Sequence, residues 1–167
     1  SCSSFVIMGV SGCGKSTLGL ALATRLERPF IEGDTLHPPA NVAKMAAGVA
    51  LDDADRRPFL MAVAEALRAA GPGAVASCSA LKRTYRDLIR ARAGDVTFVL
   101  PQLDRDTLAA RLAARTDHFM PASLLDSQLA TLEPLASDEG ALIIDGLLPT
   151  SAQVEAVLAA LEKGRSA

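Results

Sequence analysis

The sequence predicts an α/β domain built on a parallel sheet with helices on both faces. Three observations carry that prediction. Short apolar runs that read as fully buried strands alternate with longer stretches of helical periodicity. The first run passes through a glycine-rich turn straight into a leucine-striped helix, and the length of 167 residues suits one domain with a real core. Of these residues 31 are Ala, which bury little area each and favour helices, so Ala-filled helices around an aliphatic sheet are expected.

The elements follow in order. Phe5 to Val10 is the first strand, and Leu18, Leu22 and Leu26 stripe the helix after it. Pro29 to Asp34 reads as a second strand ending in a carboxylate, and Pro38 to Gly48 as partly helical, with Asn41, Lys44 and Met45 at helical offsets. Asp52, Asp53 and Asp55 offer N-caps for a helix running to Ala70, with Pro58 in its first turn and Leu60, Val63 and Leu67 on one stripe; Gly71-Pro72-Gly73 stops it. Ala74 to Ser77 is a third strand, Tyr85 to Arg92 a helix, and Val96 to Leu100 a fourth strand. Asp104 opens a helix through Arg115, further helix runs to Glu133, and Ala141 to Asp145 is the fifth strand. Thr150 and Gln153 have the spacing of a capping box for the last helix, striped by Val154, Val157, Leu158 and Leu161 and stopped at Gly164. Residues 36–70 and 116–133 break the alternation and are expected as insertions over the carboxyl edge of the sheet, where such folds bind ligands.

Composition narrows the function. A net charge of -2 and six aromatics among 167 residues supply neither the basic footprint nor the stacking platform of a nucleic-acid binder. No apolar run approaches the ~20 residues that span a bilayer, and no export signal is evident at the N-terminus. Cys2, Cys13 and Cys78 are odd in number and lack C-x-x-C spacing, which favours a reducing compartment, the cytoplasm by default.

Gly9-Val10-Ser11-Gly12-Cys13-Gly14-Lys15-Ser16 fits G-x-x-x-x-G-K-[ST], with Thr17 following. In this motif the glycines let backbone N–H groups curl around a phosphate chain, Lys15 reaches its far phosphates, and the Ser16 hydroxyl can ligate Mg²⁺. The strand before it and the helix after it are the context the motif requires. A nucleoside triphosphate is thereby expected, with its fate open among transfer to a small molecule, motor work or a switch cycle. No N-K-x-D element for a guanine switch is present, and the best Walker B carboxylate for a motor, Asp145, sits on the last strand. Transfer to a small molecule is favoured because the chain is short and Asp34 stands where it could accept or orient a hydroxyl proton. Cys13, at a helix N-terminus, is expected to be thiolate-prone and open to alkylation that MgATP would block.

Beyond the loop, the chain resembles the gluconokinase family of small P-loop kinases, akin to shikimate and nucleoside monophosphate kinases. The resemblance rests on M-G-V-S-G-C-G-K-S at 8–16, G-D-x-L-H-P at 33–38, N-x-x-K-M-x-x-G at 41–48, L-x-D-x-D-R-x-P at 51–58, C-S-A-L-K-x-x-Y-R at 78–86, and R-x-x-H-F-M-P-x-x-L-L-x-S-Q-x-x-T-L-E-P at 115–134. It implies a three-layer P-loop fold with a five-stranded parallel sheet, a substrate-binding insertion and a lid. It also implies phosphorylation of D-gluconate by ATP with Mg²⁺, in a homodimer. Carried onto these positions, Lys15, Asp34 and Arg115 are catalytic, residues 9–17 and Arg111 bind the nucleotide, and Asp34, His37, Lys44, Arg56, Lys82 and Arg86 bind the sugar acid. Pro39-Ala40 departs from the basic pair relatives can carry, and Phe59 from a frequent Trp. The alternatives are a related kinase for another sugar acid or shikimate, and a regulatory module that hydrolyses ATP slowly. The Gly-rich run expected of shikimate kinases after the third strand is replaced by Cys78-Ser79-Ala80-Leu81-Lys82.

Overall fold

A computed structural model describes residues 3–114 and 122–166. Its strands, β1 (Ser4–Ile7), β2 (Phe30–Glu32), β3 (Val75–Ser77), β4 (Val96–Gln102) and β5 (Leu142–Asp145), form a parallel sheet in the order β2-β3-β1-β4-β5. The first strand is therefore central, pairing Phe5 with Val75 on one side and with Thr97 on the other. Connections run to opposite edges from here, which makes the carboxyl end of β1 the topological switch point where open α/β sheets bind ligands.

Alternation along the strands sorts the core into two layers. Val6, Met8, Ala76, Phe98 and Leu100 face α3 (Asp53–Ala70) and α4 (Arg83–Ala93), meeting Phe59, Leu60, Val63, Leu67 and Ile89. Phe5, Ile7, Val75, Val99 and Ile144 face α1 (Lys15–Leu26) and α7 (Thr150–Ser166), meeting Leu18, Leu22, Val154 and Val157. Helix α2 (Pro39–Ala46) lies in the expected insertion, and α5 (Arg105–Ala113) and α6 (Ala122–Thr131) flank the glycine loop. There Val10 and Cys13 join Leu81, Leu108, Leu112 and Leu125 in a third apolar cluster.

Several local expectations are corrected. Asp52 alone is the N-cap of α3: its carboxylate accepts from Asp55 N, while Asp55 accepts from Asp52 N, a capping box. Pro58 consequently lies in the second turn of that helix, not the first. Thr150 and Gln153 form no capping box: Thr150 is already the first residue of α7, the Gln153 N–H bonds to Pro149 O at 3.0 Å, and the Gln153 amide donates to the carbonyls of Gly146 and Leu148 at 3.3 and 2.8 Å. Helix α7 also runs through Gly164 to Ser166. On β5, Ile143 is 54% exposed, since an edge strand has one face that neither helical layer covers.

Candidate active site

The glycine loop leaves β1 after the Met8 N–H bonds to Val99 O at 2.8 Å. Gly9, Gly12 and Gly14 then take φ of 131°, 88° and 90°, a region that side chains strain to enter. Gly14 caps α1, and no side chain bonds to the helix start. The donors of the first turn thus stay available to an anion. Lys15 Nζ meanwhile donates to Val10 O at 3.1 Å, folded against its own loop. A cleft of about 350 Å³ continues past Cys13, Gly14, Thr17 and Leu18 to Arg111 and the segment 147–150. Arg111 donates to Gly146 O at 3.3 Å, which fixes it across the cleft mouth.

Cys13 overturns its expectation. The thiol is 3% exposed and donates to Met8 O. Burial pushes its pKa up in spite of the pull from Lys15 and Arg111, so it is a packed thiol and not a thiolate. Cys78, completely enclosed, is pushed up to about 12 by the same cause.

Asp34 does not end a strand. Strand β2 stops at Glu32, and Asp34 sits in the one-turn 3₁₀ segment Gly33–Leu36. Gly33 is required there because a Cβ would lie 1.9 Å from the Ser77 carbonyl oxygen. That close approach brings Asp34 to the end of β3, where its charge and that of Lys15 both act on the Cys78 thiol. The sequence reading missed Glu32. Its carboxylate accepts from Ser16 Oγ at 2.9 Å and Ser77 Oγ at 2.6 Å, which ties the second edge of the sheet to the last residue of the loop motif. The clue was present two residues before Asp34, as a carboxylate at the carboxyl end of a strand.

Past Asp34 stand His37 and then Arg56, both of which share its electrostatic neighbourhood. His37 stacks on Phe59 with ring centroids 3.7 Å apart. Burial lowers the His37 pKa, with Asp34 opposing and Arg56 assisting, so the ring is neutral near pH 7. Arg56 Nη1 donates to Tyr85 Oη at 2.8 Å, Tyr85 Oη donates to Asp53, and Lys82 Nζ meets the same Asp53 oxygen at 3.1 Å. The Tyr85 and Lys82 hydrogen bonds hold the Asp53 carboxyl below its usual range. Lys44 is instead committed to Asp55 at 2.7 Å, and the buried Asn41 donates to Asp55 O and contacts His37, so this block ties α2 to α3.

Arg86 is a correction. Its side chain is wholly buried, with Nε and Nη2 on Glu139 at 2.7 and 3.1 Å and Nη1 on Ala80 O and Leu81 O at 3.0 and 3.2 Å. Every arm of the fork is used, leaving nothing for a sugar acid. Its effect is indirect: Ala80 is held at a φ of 46°, and the loop that carries Lys82 is clamped to the segment after α6. Arg115 lies outside the described residues.

The comparisons with known proteins bear on this arrangement. A family model described as an AAA domain matches residues 5–135. The gluconokinase of Gluconobacter oxydans (strain 621H) is 53% identical over 144 residues, covering 84% of this chain and 81% of that protein. The thermoresistant gluconokinase of Escherichia coli (strain K12) is 38% identical over 165 residues, 96% of this chain and 94% of its own. The chain belongs to the gluconokinase family. A crystal structure of a gluconokinase from Sinorhizobium meliloti 1021 superposes with a TM-score of 0.87 at 47% identity, covering 96% of this chain and 92% of that one. A shikimate kinase from Bacteroides thetaiotaomicron, at 21% identity, covers 97% of this chain and 99% of that one with a TM-score of 0.70, which speaks for the fold alone.

Within this gluconokinase-family chain, the sheet, the loop and the helices on both faces agree with the resemblance. Of the proposed sugar-acid cations, Arg56 and Lys82 meet at Tyr85 and Asp53, while Lys44 and Arg86 are engaged elsewhere. Among the described residues no group of three or more His, Cys, Asp or Glu side chains is arranged to hold a metal, and Asp52 and Asp55 act as caps. No described helix is long and apolar enough to cross a membrane.

Proposed function

We propose that this protein transfers the γ-phosphoryl group of ATP to the 6-hydroxyl of D-gluconate, giving 6-phospho-D-gluconate and ADP. The observation that carries the reading is a run of neighbouring groups: an anion-ready glycine loop, then Asp34, whose charge reaches Cys78 together with that of Lys15, then Arg56, which faces His37 along with Asp34 and bonds to Tyr85 beside Lys82. A phosphate chain suits the first, a polyol hydroxyl the second, and a carboxylate the third. The relatives named gluconokinase support the same assignment.

In this reading the cleft beside Arg111 takes the nucleoside, and the loop at residues 9–17, through those of its N–H groups not bonded within the protein, takes the phosphates together with Lys15. Lys15 leaves Val10 O to do so. The oxygen pair of Ser16 and Glu32 fits a hard, hydrated cation such as Mg²⁺, which when bound supplies charge neutralisation on the phosphates. The 6-hydroxyl oxygen attacks the γ-phosphorus as the bond to the leaving oxygen of ADP breaks, and the hydroxyl proton passes to Asp34. Arg115 would add positive charge to the transferring group. Asp53 holds Lys82 and Arg56 in place until the substrate carboxylate, chemically its equal, arrives. We further assign the protein to a homodimer in the cytoplasm, with a substrate-binding insertion at 36–70 and a lid at 116–133, and the buried free thiols of Cys13 and Cys78 suit a reducing compartment.

The test is a coupled ADP assay run with gluconate, with other aldonates, with glucose and with shikimate, and with the product checked by phosphorus NMR. Gluconate-dependent ADP release with a new phosphomonoester is expected. ADP release unaffected by gluconate, with no phosphorylated sugar, would overturn the reading.

A further inference from the structure

Helix α6 belongs to the stretch outside the classical loop motif, and it is seated on that loop. Leu125, fully buried, packs with Val10, Cys13, Leu108 and Leu112, and Leu129 and Leu132 border the same cluster. Residues 125, 128 and 129 share one face of the helix, and 132 follows directly after its last residue. An ion pair from Arg105 to Asp126, 2.6 Å from Nε to Oδ1 and 3.1 Å from Nη2 to Oδ2, pins α6 to α5. On the docked face, Gln128 Oε1 accepts the Ser11 backbone N–H at 2.8 Å, a bond between residues 117 apart in sequence.

That bond fixes which way the amide points. An N–H can only be accepted by the carbonyl branch, so Oε1 must face Ser11 and Nε2 must be the free branch. No described residue accepts from Nε2. Ser11 lies inside the glycine loop, between Gly9 and Gly12, and its N–H is one of the donors such a loop turns toward phosphate. The neutral amide takes up one backbone donor and, on its other branch, keeps two side-chain donors beside a loop of the kind that holds a phosphate chain.

We propose that Gln128 is a nucleotide-contacting residue that reads the terminal phosphoryl group: anchored through Oε1 on Ser11, it donates from Nε2 to the γ-phosphate and orients it for transfer. A diphosphate, one phosphoryl shorter, does not reach it. Gln128 thereby distinguishes triphosphate from diphosphate and favours release of ADP after transfer. The inference rests on the loop holding a nucleoside triphosphate, as proposed above.

The test is calorimetric titration of the full chain with MgADP and with the Mg²⁺ complex of β,γ-imido-ATP, without any sugar, for wild type, Gln128→Met and Gln128→Glu. Met keeps the length and loses both hydrogen-bonding branches. Glu keeps the acceptor for Ser11, and with it the docking of α6, but replaces the donors by an anionic oxygen. Expected for Gln128→Met is a five- to tenfold weaker hold on the triphosphate analogue with ADP affinity within twofold. For Gln128→Glu a larger loss confined mainly to the analogue is expected, with an unchanged melting temperature. The turnover of both variants should fall at least tenfold at saturating nucleotide. Equal shifts for the two nucleotides, or none, would overturn the proposal, since a structural role would move both alike. A wild-type chain that binds both nucleotides but leaves gluconate untouched would defeat the sugar assignment and leave this test intact.

Discussion

Asp34 is solvent-exposed because Gly33 allows the chain to pass against the Ser77 carbonyl and turn at once into a 3₁₀ segment. If its carboxylate takes the hydroxyl proton, Asp34→Ala removes the proton acceptor and leaves the phosphate cradle intact. Turnover should fall by about 10²-fold or more while ATP affinity stays within about threefold; steady-state rates beside nucleotide titration measure both, and wild-type turnover would refute the role. The motif residues 9–16 were readable because the chemistry of a phosphate loop is local: eight consecutive residues set both its backbone and its ligands. Glu32 was not, since its partner Ser16 lies 16 residues away and only the sheet brings them together. Cys13 failed for a related reason. Sequence shows the helix start that lowers a thiol pKa, but not the Leu108 and Leu112 side chains that bury it and reverse the sign.

At the scale of elements, the start of α3 joins the capping of a helix to the Arg56, Lys82 and Tyr85 cluster proposed for the sugar acid. Asp52 and Asp55 cap the helix reciprocally, Asp55 also holds Lys44 of α2, and Asp53 and Arg56 in the same turns face Tyr85 and Lys82. Replacing an N-cap aspartate by alanine costs about 1 kcal/mol, which in a domain of this size lowers Tm by roughly 2–4 °C. Asp52→Ala should show that shift by calorimetry and, because the fraying reaches Asp53 and Arg56, a several-fold higher KM for gluconate with the KM for ATP unchanged. An unaltered gluconate KM would separate the cap from the site. Capping here was legible from three aspartates before an apolar stripe. The apparent box at Thr150 and Gln153 was not genuine, because the helix starts one residue earlier than that spacing requires: Thr150 is its first residue, and Pro149 O takes the Gln153 N–H.

For the whole molecule, the Arg86–Glu139 pair joins α4 to the segment that leads into β5, with Arg90 as a third member 2.9 Å from the same carboxylate. Burial alone would raise the Glu139 pKa, but Arg86, the Ala136 N–H and Arg90 bring it down to about 2 from an ordinary 4.5. A carboxyl depressed in the folded state binds fewer protons there than in the unfolded chain. Its stabilisation is therefore complete above pH 4.5 and is lost as pH falls toward 2, on the order of 3 kcal/mol in all. Denaturant melts between pH 5 and 2.5 should record that decline, and Glu139→Gln should flatten it while lowering stability at pH 7. A slope in the variant equal to that of wild type would exclude Glu139 as its source.

The sequence by itself determined the α/β class, the order of strands and helices along the chain, the phosphate loop and the resemblance to gluconokinases. All of these reside in periodicity or in contiguous motifs, where neighbours in the chain are neighbours in space. Tertiary structure alone decided the roles of side chains whose partners are remote. Arg86 became a buried strut because Glu139, 53 residues on, enclosed it, and Gln128 reached Ser11 across 117 residues because the apolar face of α6 buries against α5 and the shoulder of the loop. A charge or an amide carries no mark of its partner in the sequence. Burial, and the cost of leaving a polar group unpaired within it, selects that partner only when the chain has closed around both.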